Sequence, residues 1–344
     1  MKIVKLLPGI GLSLAIAIFA LWLESLLPIH IIGASVIAMF IGMMLNYFLR
    51  NTNVFNSGAK FTSKKILKFA IVLLGLSLNI NTIFKVGRMS LVVMVFTLLT
   101  CFGGGYFIGR ALKLNWKLSN LISAGTGICG GSAIAAIAPT IDADNNDVAY
   151  AMSATFLFDM AMILLFPIMG RALDMSDVAF GLWAGTAVND TSSVVATGYS
   201  FSEAAGDFAT MVKLTRTLSI IPTVLVFAFI SLGLKRKEAR LNNLDESELK
   251  AKFSLKKIFP WFIVAFVAMS VVASIFTIPT GVLVHTKSAS KFLMVSALAA
   301  IGLNTSFSSM KKSGIRPMIH GFVISALVVI VALVVEIAMG IVVL

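Results

Sequence analysis

GTGICGGSAIAA occupies Gly125 to Ala136 and GTAVNDTSSVVA occupies Gly185 to Ala196, two stretches that share Gly, Thr, Ser and Ala positions. The first places Gly125, Gly127, Gly130 and Gly131 ahead of Pro139, and glycine costs a helix interior about 1 kcal/mol relative to alanine. The second sets Asn189, Asp190, Thr191, Ser192 and Ser193 in succession between apolar flanks. One ionisable side chain at the centre of a bilayer costs about 2.5–3.5 kcal/mol on insertion scales. Both stretches, Gly125 to Ser132 and Asn189 to Ser193, are therefore expected to be non-helical and to meet near the midplane, since irregular backbone persists at membrane depth only where it lines a cavity. The competing readings are that the glycines merely permit close helix packing and that the polar run is a loop between two interfacial pieces.

A membrane setting follows from composition. The 344 residues are 58% hydrophobic and 12% charged, with a mean hydropathy of +0.98. Soluble domains carry about 25% charged residues. Helices follow in turn, because lipid offers backbone groups no partner outside their own segment. Apolar windows place spans near 6–28, 30–50, 64–84, 88–110, 119–140, 147–170, 178–200, 208–234, 258–279, 290–309 and 315–342, eleven in all. The basic start, Lys2 and Lys5, runs into the first span without a small-residue cleavage site, so a retained span is expected.

The net charge of +13 would suggest nucleic acid in a soluble protein, but here Lys and Arg collect in the gaps between spans. That is the pattern of cytoplasmic loops beside anionic headgroups. Alternate gaps hold Arg50 with Lys60 to Lys68, then Arg110 to Lys117, then Arg171, then Lys235 to Lys257, then Lys311 to Arg316. The others hold Lys85 with Arg88, the acids Asp142, Asp144 and Asp147, then Glu203 with Asp207, then His285 with Lys287. This asymmetry predicts a cytoplasmic N-terminus and an external C-terminus in an inner membrane. The hydrophilic run Lys235 to Lys257 reads as a cytoplasmic linker between membrane regions 1–234 and 258–344.

A second internal likeness sets LGLSLNINTIFKVG (Leu74 to Gly87) against IGLNTSFSSMKKSG (Ile301 to Gly314). With eleven spans these segments run in opposite directions, as inverted repeats do in secondary transporters. The Gly125 and Gly185 stretches would instead run parallel. Either a small-residue motif has been reused there, or a span between residues 141 and 180 is miscounted.

Lys213 and Arg216, three apart, share a helix face and call for an anionic partner: Asp190, Glu203 or an anion from solution. Alternatively both snorkel to an interface, because Thr217 to Leu234 is nearly long enough to span by itself. Asn304, Thr305 and Ser306 and the run Asn189 to Ser193 offer neutral hydrogen bonds to a solute, and Thr126, Cys129, Gly130, Gly131 and Ser132 at the first break are further substrate-binding candidates. Among isolated acids, Asp190 and Asp159 are candidates for a coupling ion, Glu24 for a proton or cation, and Glu336, near the chain end, is expected at the surface. His30, His285 and His320 stand apart, and Cys101 and Cys129 have no Cys/His neighbours, so neither a metal site nor a cofactor is expected. No P-loop, dinucleotide fingerprint or nucleophile elbow appears, which argues against an enzyme.

The segments GTGICGGSAIAAIAPTI, DVAFGLWAGTAVNDTSSVVATG, VKLTRTL and AAIGLNTSF, in that order, resemble the bacterial YeiH family of inner-membrane proteins, which carries a sulfate-exporter label. The resemblance implies the broad fold group of cation–proton antiporters and bile acid symporters, with inverted repeats that cross as broken helices. Where that family's pattern has Asn in the sixth span, this chain has Asp159. The expectation is a secondary active transporter of a small anion such as sulfate, an organosulfonate or an organic acid, driven by a proton or sodium gradient. Membrane lipid and a homo-oligomer are the other partners expected, with no nucleic acid. A channel or sensor is the alternative, and an intramembrane enzyme a further one.

Overall fold

A computed structural model describes residues 5–26, 34–49, 52, 54–241, 261–276, 278–305 and 314–342. These residues are helical throughout apart from turns and short connections. The helices are α1 (Leu7–Leu26), α2 (Ala34–Leu49), α3 (Asn56–Phe61), α4 (Leu67–Leu74), α5 (Ile80–Leu99), α6 (Gly105–Ala111), α7 (Trp116–Ala124) and α8 (Gly131–Ile137). They continue as α9 (Asn145–Ala172), α10 (Asp177–Ala187), α11 (Thr191–Phe201), α12 (Glu203–Thr217), α13 (Ile220–Leu241), α14 (Trp261–Ile275), α15 (Thr280–Asn304) and α16 (Ile315–Ala338). Among the described residues, five continuous stretches are long and apolar enough to cross a membrane: Leu7–Leu26, Ile80–Ala111, Asn146–Ala172, Glu203–Leu234 and Ile315–Ala338.

Packing sorts these helices into two bundles. In the first, α15 lies against α2, α4 and α1, with α3 and α14 alongside. The second comprises α5 to α13 and α16. This grouping cuts across the division of the chain at 235–257, because α14 and α15 pack with the first four helices and α16 with the middle of the chain. Residues 235–241 continue α13, and the remainder of that linker lies outside the described residues.

Two of the eleven expected spans fold back on themselves. At the first, Lys117 Nζ donates to the carbonyl of Asp142 at 2.7 Å, and Asn115 Nδ2 donates to Asp147 Oδ1 at 3.0 Å. The chain thus enters at Asn115, turns at Gly130 and leaves beside its entry point. At the second, Ser202 Oγ donates to Asp177 Oδ1, and the rings of Phe180 and Phe201 stack with centroids 4.0 Å apart. That segment likewise enters at Asp177, turns after Ala187 and returns by Phe201. Between them α9 spans 28 residues, about 42 Å, from the base of one hairpin to the base of the other. The hairpins therefore enter from opposite ends of the bundle, which resolves the parallel likeness of their sequences: a crossing segment was counted where the chain folds back. Asp142, Asp144 and Asp147 accordingly share an end with Lys113 and Lys117, while Arg171 lies at the opposite end.

A further correction concerns the break between the third and fourth spans. It falls at Leu78 and Asn79, where Asn79 caps α5 by accepting from the Asn81 amide at 2.8 Å. Lys85 and Arg88 consequently ride on the helix Ile80–Ala111 rather than in a loop.

Candidate functional site

The tips of the opposed hairpins meet halfway along α9. At the first tip the chain is less irregular than its glycines suggest, since Gly125–Cys129 forms a π-helical turn and the break is confined to Gly130. Gly130 has φ +62° and ψ −133°, a conformation open to glycine and strained for any other residue. At the second tip Val188 and Asp190 are extended, whereas Thr191, Ser192 and Ser193 already form the first turn of α11. The polar run is a helix cap more than an unwound stretch: Asp190 accepts from the Ser192 amide at 2.9 Å and from the Ser192 hydroxyl.

Each tip joins the C-terminal end of one helix to the N-terminal end of the next, and these ends carry opposite partial charge. Lys213 and Arg216 take the negative ends. Lys213 Nζ donates to the carbonyls of Ile128 and Val188, both at 2.9 Å, and so ties one tip to the other. Arg216 donates to Thr126 at 2.6 Å, Gly127 at 2.7 Å and Val188 at 3.3 Å. Both side chains are buried, at 0% and 1% exposure, which overturns the snorkelling alternative. Among the described residues neither cation has a carboxylate oxygen within 4 Å, so their partners are the helix-end carbonyls, a possibility that the spacing of charged residues in the sequence could not suggest.

Asp159, midway along α9, braces the second tip. Its two carboxylate oxygens accept from the backbone amides of Asn189 and Asp190, each at 2.9 Å. Asp190 lies across from the first tip, where a Cβ on Gly130 would stand 2.9 Å from its Oδ1. Thr126 Oγ1 and Asn189 Nδ2 both reach Ser325 of α16 at 3.4 Å, and Asn189 Oδ1 is buried without a hydrogen-bond partner. Ser325 was invisible in the sequence, one small polar residue in an apolar run.

Gly131, Ser132, Asp190 and Thr191 form the uncovered edge of this junction, with Ser132 exposed and the others part-exposed. Thr126, Cys129, Ser192 and Ser193 are buried behind it. The N-terminal ends of α8 and α11 thus converge on an accessible edge while the C-terminal ends are neutralised from behind. Such an arrangement can receive an anion on the amide side, and Asp190 is the accessible carboxylate for a proton or cation.

Other sequence candidates fall elsewhere. Asn304 bonds to the Ala300 carbonyl and Ser63, and the Thr305 carbonyl accepts from Asn46, all within the first bundle. These residues do not join the tips, and Ser306 lies outside the described residues. Glu24, near the end of α1, accepts from the Ala34 amide at the start of α2 at 2.9 Å. Glu336, expected at the surface, is 0% exposed because α16 is buried on that face by its own bundle. His320 lies beside Ser119 and the Gly105 carbonyl, at 3.1 and 3.0 Å, where α6, α7 and α16 meet.

Fold and site together define a multi-pass α-helical membrane protein with two opposed helical hairpins. Residues 8–321 match the family described as conserved hypothetical protein 698, and the chain belongs to that family. It is 52% identical to a UPF0324 membrane protein of Clostridium tetani over 96% of this chain and 97% of the relative. The UPF0324 membrane protein of Fusobacterium nucleatum is 39% identical, covering 91% of this chain and 92% of the relative. That of Streptococcus pyogenes serotype M18 is 40% identical, covering 97% and 98%.

Proposed function

We propose that the protein is a secondary active transporter of a small anion, such as sulfate, an organosulfonate or an organic acid. The observation that carries this reading is the division of charge at the hairpin tips. Helix-end carbonyls are held by Lys213 and Arg216, while the amide ends of α8 and α11 face the accessible edge beside Asp190. An anion there meets the positive ends of two helix dipoles, with the buried cations adding a favourable field. Asp190 is assigned the coupling ion, a proton or sodium. Asp159 braces the tip, its oxygens already engaged by amides.

Packing favours a carrier over a channel. α11 lies against α2 and α15 of the first bundle, and Lys287 of α15 bridges Glu203 and Asp207 of α12 at 2.9 Å each. α8, its counterpart in the other hairpin, packs chiefly on α7, α9 and α13 and leaves Ser132, Ala135 and Pro139 exposed. One hairpin is thus covered and the other open, as a single state of an alternating carrier would be. The test is counterflow of labelled sulfate, taurine and acetate in proteoliposomes: exchange that requires internal anion supports the carrier, and flux that continues without it supports a channel. An absence of anion exchange, or product formed from the solute, would overturn the reading.

A further inference from the structure

A cavity of about 1020 Å³ opens between the two bundles, away from the hairpin edge. Its walls are α5, α12, α13 and α14 with Asn120 of α7, and along the helix Ile80–Ala111 it runs from Ile83 past Arg88, Leu91, Leu98 and Phe102 to Gly103. The surface is apolar, and its few hydroxyls are already engaged within their own helices. Thr215 donates to Met211, Ser219 to Arg216 and Thr223 to Ser219. A polar solute would find little to replace its hydration there. Arg88 is different: it is exposed, lies toward the Ile83 end of the groove and makes no hydrogen bond or ion pair among the described residues.

Depth identifies the occupant. The helix Ile80–Ala111 has 32 residues, about 48 Å, against a hydrocarbon core of about 30 Å, so a centred helix projects about 9 Å at each end. Arg88 lies eight residues from Ile80, about 12 Å along, and so within about 3 Å of the headgroup boundary. From Arg88 to Gly103 the groove descends about 22 Å, more than the roughly 15 Å that one leaflet's chains require. A charged fork at headgroup level above a deep apolar groove matches one chemistry, a phosphate carrying acyl chains. We propose that this inter-bundle groove binds an anionic diacyl phospholipid, its phosphate on Arg88 and a chain lying along α5. The bound chain touches Met211 and Leu214 of α12, the helix whose Lys213 and Arg216 hold the hairpin tips.

The test uses the purified full chain in neutral detergent, titrated with phosphatidylglycerol, phosphatidylcholine or glycerol 3-phosphate and read by native mass spectrometry and thermal melting. Phosphatidylglycerol should bind in preference to phosphatidylcholine by about fivefold, the worth of one cation near a headgroup, and glycerol 3-phosphate should neither bind nor stabilise. R88Q should erase that preference while leaving chain binding intact. Gly103→Phe should abolish binding of both lipids and still fold, since a Cβ on Gly103 meets nothing within 4 Å. A preference that survives R88Q, equal response to glycerol 3-phosphate, or a dimer dissociated by Gly103→Phe would overturn the proposal, the last by giving the groove to a second copy.

Discussion

Asp159 holds Asp190 by its backbone: the amide of Asp190 donates to Asp159 Oδ2 at 2.9 Å, so one acid fixes the place of the other, whose own carboxylate caps α11 through Ser192. The neighbouring Asn189 amide occupies the other oxygen at the same distance. Asp159→Asn keeps one acceptor and turns an NH2 toward the second amide. It should lower stability by about 1–3 kcal/mol, the cost of one buried donor left unpaired. Thermal melting of the purified variant checks this, and a melting point equal to wild type would show that the brace is dispensable.

Removal of the cations should loosen the tips. Lys213→Met leaves the Ile128 and Val188 carbonyls without their shared donor, and Arg216→Gln does so for Thr126 and Gly127. Each lost partner should cost about 1–3 kcal/mol, and Arg216→Lys should recover only part because one ammonium cannot reproduce the guanidinium fork. Proteolysis or hydrogen exchange confined to the tips reports the loosening. Wild-type protection in Arg216→Gln would mean that the carbonyl contacts contribute nothing.

Gly130→Ala should be the most damaging small substitution at the site. It forces a side chain into φ +62° and sets its Cβ 2.9 Å from the Cβ of Asp190. Backbone strain of this kind costs about 1–3 kcal/mol before any clash. The expected outcome is loss of anion exchange at wild-type expression, whereas Gly131→Ala, whose Cβ would meet nothing within 4 Å, should retain it.

The hairpin reading makes a labelling prediction that the eleven-span reading contradicts. Single cysteines at Lys113 and Asp142 should be modified from one side of the membrane, and cysteines at Ser176 and Ser202 from the other. Opposite accessibility of Lys113 and Asp142 would restore the first hairpin to a full crossing.

The sequence by itself determined that this chain lives in a bilayer, and it pointed to breaks in its helices near Gly130 and Asp190. Each conclusion rests on local cost: apolar excess, glycine density and the expense of charge in lipid. The direction of each element was a different matter. A segment that turns back at its middle has the same apolar length as one that crosses, so only tertiary contacts such as Lys117–Asp142 and Ser202–Asp177 reveal the hairpins. The partners of Lys213 and Arg216 were hidden for a related reason. Backbone carbonyls leave no mark in a list of side chains, and tertiary structure alone brings the ends of two helices, Ile128 and Val188, within reach of one ammonium.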